Sequence, residues 1–224
     1  MKQTDLLPYI NRDKLSEAEP FFAGVDVKPK HDSIQTTKVL KELEKHINKV
    51  NYDFGHWLDV CLSVVEGREE DYMKLTTELD KEKLNDYSKA FGAISFFFLD
   101  GYYDDVLGQY YMLHHHSKIN NGYFPTPFNI SLFMAEILGV DKNGTVMDPC
   151  VGSGSMLLAA KYVVHRKYGW IDSCLFMPKM YGQDIGHIQI RMCKLQLYLS
   201  NYLHMITRVS ESLKEIAERM KNVS

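Results

Sequence analysis

Apolar positions in the first half of the chain recur at helical spacing. Leu40, Leu43, Ile47 and Val50 fall at 3-4-3 intervals, predicting an amphipathic helix from a cap at Ser33 to about Val50. A second helix is read over 54–65, ending before Gly67. Residues 68–90, rich in Glu, Asp and Lys, read as a third, with Tyr72, Leu75, Leu79 and Leu84 as its contacts. Ile94, Phe96, Phe97, Phe98, Leu99 and a Tyr-rich stretch continue the pattern to 116. Residues 1–32, broken by Pro8, Pro20 and Pro29, read as a lead-in, and 33–120 as a helical domain.

The pattern changes at the Asn121-Gly122 turn signal. Residues 128–138 predict a helix with Ile130, Phe133, Met134 and Ile137 on its apolar side. Thr145-Val146-Met147 reads as a short buried strand running into Asp148-Pro149-Cys150-Val151-Gly152-Ser153-Gly154, a tight turn, and then a helix over 156–165. Met180-Tyr181-Gly182-Gln183-Asp184 reads as a second strand ending in a carboxylate. Helices over 187–203 and 206–221 follow, the last with Ile206, Val209, Leu213, Ile216 and Met220 on one face. Strand, glycine turn, helix, strand and terminal acid make the opening half of a nucleotide-binding α/β fold.

Glycines at 152 and 154 let the backbone approach a ligand, and the next helix aims its N-terminal N–H groups there. A P-loop would need Gly-Lys-Ser/Thr where Ser155-Met156 stand. A dinucleotide fingerprint would need a third glycine where Leu157 stands. S-adenosylmethionine needs neither. An acid ending the first strand can face its amino-acid portion, and an acid ending the second can accept from both ribose hydroxyls. Asp148 and Asp184 occupy those two places.

Composition narrows the classes. The chain of 224 residues is 45% hydrophobic and 25% charged, which excludes a disordered chain. Its four cysteines form no C-x-x-C pair, which favours a reduced, cytoplasmic setting. No apolar run reaches the roughly 18 residues of a membrane span. The net charge is −3, but residues 161–224 carry ten Lys/Arg against five Asp/Glu. Lys161, Arg166, Lys167, Lys179, Arg191 and Lys194 are candidate phosphate contacts set against an ordinary solvated surface.

Four ordered segments resemble the adenine-N6 DNA methyltransferases, in particular the modification subunits of type I restriction systems. Asp105-Val-Leu-Gly-Gln-Tyr-Tyr111 resembles D-x-L-G-x-x-Y, and Gly122-Tyr-Phe-Pro-Thr-Pro127 resembles G-x-F-x-T-P. Asp148-Pro149 with Gly152-Ser153-Gly154 is similar to D-P-x-x-G-S-G, and Tyr181-Gly182-Gln183-Asp184 to the segment whose acid holds the ribose. The resemblance implies S-adenosylmethionine as cofactor, held by Thr126, Asp148, Gly152, Gly154 and Asp184, with Phe124 packed nearby and Ile185 walling the adenine.

The family grips its target base with an Asn/Asp/Ser-Pro-Pro-aromatic motif. The seven prolines include no adjacent pair, so that motif is missing and no catalytic residue is assigned. The expected fold class is α/β: a helical domain, then, over 121–224, the first, incomplete half of a Rossmann-like S-adenosylmethionine-dependent methyltransferase domain. The 80 residues from Thr145 onward are expected to end before the chemistry. A second protein chain or self-association is then expected to complete the sheet, with DNA as a possible partner. The alternative is a non-enzymatic interaction or regulatory module docking on a restriction–modification complex. His114-His115-His116 diverge by about 100° per residue on a helix and are not read as a metal site. Cys150 is read as a small packing residue, and the Phe and Tyr runs as helical core.

Overall fold

The computed structural model describes residues 28–47, 54–115 and 124–201. The predicted helix over 206–221 and the first 27 residues lie outside them.

Helix α1 spans Ser33–Ile47 and buries Thr36, Leu43, His46 and Ile47. Its start is held by Asp32 rather than Ser33: the Asp32 carboxylate accepts from the Ile34 N–H at 2.8 Å. Helix α2, Phe54–Val65, is apolar nearly all round and is buried accordingly, with Trp57 donating to the Tyr87 carbonyl. It stops at Gly67, whose φ is +66°. The single helix expected over 68–90 is two. Glu69–Thr76 (α3) ends, and Asp80 caps a new helix, Lys81–Leu99 (α4), by accepting from the Lys83 N–H at 2.8 Å. An N-cap acid inside a charged stretch outweighs its continuous helical composition. The buried pair His46–Asp86 (2.8 Å) pins α1 to α4. Residues 28–32 lie along 101–103 through Lys30 N–H to Gly101 O and Tyr103 N–H to Lys30 O, both 2.8 Å. Helix α5 follows at Val106–His115.

Helix α6, Phe128–Ile137, reverses the expected face. Phe128, Ser131 and Ala135 are buried, while Ile130, Phe133, Met134 and Ile137 are exposed. Its neighbour is α7, Ser155–Tyr168, and small residues at the contact let the two helices approach closely. Ser131 and Ser155 share a hydroxyl hydrogen bond of 2.8 Å, and Arg166 pairs with Glu136.

Strand β1 (Val146–Asp148) and strand β2 (Met180–Gly182) run parallel, with Val146 opposite Met180 and Asp148 opposite Gly182. Helix α7, helix α8 (Trp170–Phe176) and a 3-10 turn connect them. A final helix, α9, covers 187–201 of the described residues. One apolar cluster runs from Leu43 in α1 through Tyr103 and Leu158 to Leu199 in α9, so the helical half and the strand pair share a core. The described residues are thus mostly helical around a two-stranded parallel sheet. None of their helices is long and apolar enough to cross a membrane.

Candidate functional site

Because β1 and β2 are parallel, their carboxyl ends open on one edge, and the turn 149–154 closes over it. Val151 N–H donates to Gln183 O and Gln183 N–H to Asp148 O, both at 2.9 Å. The two loops thus extend the strand pairing by one step. Gly182 has to lack a side chain here, since a Cβ would lie 2.9 Å from Val151 Cγ2.

The two predicted acids are joined through the turn. Asp184 accepts from Gly152 N–H (2.9 Å) on one oxygen and from Gly186 N–H (2.8 Å) on the other. Asp148 accepts from Cys150 N–H at 3.0 Å. A carboxylate offers about four lone-pair sites, so both acids keep acceptor capacity beyond these bonds. Asp148, Gly152 and Asp184 are each partly exposed.

The two glycines differ in role. Gly152 takes φ +53° as its N–H turns toward Asp184. Gly154 takes φ +98°, its N–H bonds Val151 O at 2.8 Å, and a Cβ there would sit 2.8 Å from Cys193 Sγ. Its missing side chain admits helix α9.

Thr126 reaches the same neighbourhood through its backbone, since the Ser155 hydroxyl donates to Thr126 O at 2.9 Å. A cavity of about 300 Å³ opens beside it, lined by His31, Asp104, Asp105, Gln109, Thr126 and Phe128 among others. Phe124 and Ile185 stand 72% and 98% exposed, so the structure brings Asp148, Gly152 and Asp184 together and leaves these two at the surface.

Sequence reasoning missed the layer beneath the turn. Asp105 (2% exposed), Ser153 (2%) and Gln196 (0%) form one buried polar knot. The Ser153 hydroxyl donates to one Asp105 oxygen, and Gln196 Nε2 donates to the other at 2.9 Å and to Ser153 O at 2.9 Å. Gln196 Oε1 accepts from Leu107 N–H, and Gly108 N–H donates to Asp105 Oδ1, both at 3.0 Å. The signal was Gly108: a Cβ there would lie 2.3 Å from both Asp105 Oδ2 and Ser153 Oγ. Burial raises the Asp105 carboxyl above its ordinary range, against the pull of its Ser153, Gln196 and Gly108 hydrogen bonds, with Asp104 adding to the rise. Burial also raises the Cys193 thiol, helped by Asp105, Asp148 and Asp184. The field around the turn is acidic.

Several expectations shift. Cys150 is exposed rather than packed, because the turn projects it outward. Phe97, Phe98, Tyr103, Tyr110 and Tyr111 are core, but Phe96 is 64% exposed. His114 rests its ring on Tyr110 at 4.6 Å, and His116 lies outside the described residues. The six candidate phosphate-binding cations all engage protein groups. Lys161 is fully buried on Ser200 O, Arg191 pairs with Asp59 and Lys194 with Glu66 (2.7 Å each). Arg166 and Lys167 face Glu136, and Lys179 donates to Lys142 O.

The family described as N-6 DNA Methylase matches residues 102–222, from just before the buried knot to beyond α9. Among curated proteins, the methylase subunit of the type I restriction enzyme MjaVII of Methanocaldococcus jannaschii is 24% identical over 178 residues. That alignment covers 75% of this chain and 28% of the relative, so the chain spans under a third of the relative's length. No solved structure matches.

Proposed function

The chain belongs to the N-6 DNA methylase family, and on that premise we propose that the β1–α7 turn binds S-adenosylmethionine for transfer to adenine N6 in DNA. The setting we propose is a cytoplasmic restriction–modification system. The observation that carries the reading is the pair of carboxylates at one end of the parallel strands: Asp148 ends β1 and accepts from Cys150 N–H, and Asp184, two residues beyond β2, accepts from Gly152 N–H in the same turn. An acidic groove suits a ligand with a sulfonium and an ammonium and opposes a pyrophosphate. In this reading Asp148 faces the amino-acid portion, and Asp184 accepts from the ribose hydroxyls on the lone pairs that Gly152 and Gly186 leave. Thr126 and Phe124 flank the methionine end, and Ile185 covers the adenine. Gly152 and Gly154 set the turn.

Methyl transfer also needs the adenine held outside the stack. The sequence has no adjacent prolines, so we propose that the base-gripping motif comes from another polypeptide segment and that this chain alone does not methylate DNA. Calorimetric titration with S-adenosylmethionine and S-adenosylhomocysteine tests the first part. Binding is expected, weakened in Asp184→Ala; no heat with either ligand refutes it. Transfer of labelled methyl to DNA by this chain alone refutes the second part. A competing reading, a docking module without activity, draws on the exposed face of Ile130, Phe133 and Ile137. It predicts association with modification or specificity subunits and no methyl transfer in any mixture.

A further inference from the structure

We propose that Asp105, with Ser153 and Gln196, is a positioning device through which the helical half of the chain sets the shape of the cofactor turn. The inference rests on the reading of that turn as the S-adenosylmethionine site.

Ser153 is flanked by two glycines in left-handed backbone, φ +53° at Gly152 and +98° at Gly154. Glycine gives such a turn its shape and also leaves it loose, because glycine has the most backbone freedom to lose. Something has to hold Ser153, and its own side chain and carbonyl are both held. The hydroxyl bonds Asp105, and the carbonyl accepts from Gln196. Asp105 stands at the entrance to α5, and Gln196 in α9 bonds the Leu107 N–H at that same helix start. The knot therefore joins the helical half, the turn and the helix after β2 at a single buried point.

On the outer side the same turn is held by Asp184 through Gly152 N–H. One acid fixes the turn from beneath and a second from the groove side. Asp184 is partly exposed and placed to meet ligand, whereas Asp105 is 2% exposed, sits in the wall of the cavity beside Thr126 and is bonded to the turn through Ser153. Gly108 completes the device, since any side chain there would occupy the space of the Ser153–Asp105 bond. Asp105 suits this role because three donors, the Ser153 hydroxyl, Gln196 Nε2 and Gly108 N–H, converge on its carboxyl where low local dielectric strengthens hydrogen bonds.

The test compares four full-length variants with wild type. Ser153→Ala and Asp105→Asn break the knot, Asp184→Ala removes the proposed ribose acid, and Ile94→Val loosens the helical core far from the turn. Affinity for S-adenosylhomocysteine is measured by calorimetry, stability by urea unfolding, and amide hydrogen exchange of 149–157 without ligand. Ser153→Ala and Asp105→Asn are expected to weaken binding about tenfold, the equivalent of one buried hydrogen bond, and to speed exchange in 149–157. Ile94→Val is expected to lose stability with affinity and exchange unchanged. Should Asp105→Asn fail to fold, Ser153→Ala carries the test. Wild-type binding with undiminished affinity in Ser153→Ala overturns the positioning role and leaves the cofactor reading standing. Equal affinity losses in Ser153→Ala and Ile94→Val also overturn it, reducing the knot to general stability. Absence of wild-type binding overturns the cofactor reading and the positioning role with it.

Discussion

Replacing Gly154 with alanine separates two explanations of a glycine in a ligand turn. If the residue is glycine only to clear a ligand, alanine leaves the free protein as stable as before. The structure gives two reasons for the opposite. A left-handed φ of +98° costs an L-residue roughly 1–2 kcal/mol. The new Cβ would also lie 2.8 Å from Cys193 Sγ and 3.3 Å from Cys193 Cα and Cβ. The sulfur can be cut away, but the backbone of α9 cannot. Overpacking of this kind costs about 1–3 kcal/mol, so Gly154→Ala is expected to lose about 2–5 kcal/mol in all. For a chain of this size that is a fall in melting temperature of roughly 5–20 °C. Cys193→Ala in the same background removes the closest contact and is expected to restore part of the overlap cost, while the backbone cost stays. Urea unfolding of wild type, both single variants and the double variant gives the coupling energy. An unchanged midpoint for Gly154→Ala, or strictly additive losses in the double variant, would refute the packing argument.

Three further outcomes follow from the structure. Phe128→Ala is expected to cost about 3–5 kcal/mol because the ring is buried, whereas Phe133→Ala stays within about 0.5 kcal/mol because it is 62% exposed; chemical denaturation of both checks the reversed face of α6. Burial pushes the Lys161 amine down to about 8 from its ordinary 10.5, so at this group the unfolded chain binds more protons between those values, and the stability of wild type relative to Lys161→Met is expected to rise as pH climbs through them, while the buried Cys61 and Cys193 thiols, raised by burial, act oppositely in both proteins. The relative gain amounts to about 3 kcal/mol; parallel unfolding curves of wild type and variant across that window would refute it. Arg191→Ala is expected to weaken the hold of α9 on α2 by about 1 kcal/mol or less, since its 2.7 Å pair with Asp59 is partly exposed, measured as a shift in the urea midpoint.

Most helices of the first half and both strands were legible in the sequence, because apolar period and glycine punctuation are local signals; the second strand was read two residues too long, and Asp184 lies just beyond its end at Gly182. The break at Asp80 was less so: one capping side chain decided it against a long run of helical composition. The face of α6 was misread because amphipathic patterning tells which side is apolar and not which side is covered. Here the buried side is Phe128, Ser131 and Ala135, and two of the three are small residues that let α7 come close. The Asp105–Ser153–Gln196 knot spans 91 positions, and no local pattern links Gln196 to the turn. The match to the D-x-L-G segment named Asp105 without its partners, and only the collision at Gly108 explains why a glycine follows it.

The parallel arrangement of β1 and β2 also orders the folding of the chain. An antiparallel pair can close across a two-residue hairpin, but here 149–179 must fold back and pack before the first ladder bond between the strands can form. The helical half has no shorter route, since its buried His46–Asp86 pair lies 40 positions apart and its Thr36–Asp104 bond 68. Asp148 and Asp184 come to one edge only when that return is complete, so a partly folded chain presents no paired acids. Binding at this edge, the proposed cofactor site, is thus expected to report on the finished fold.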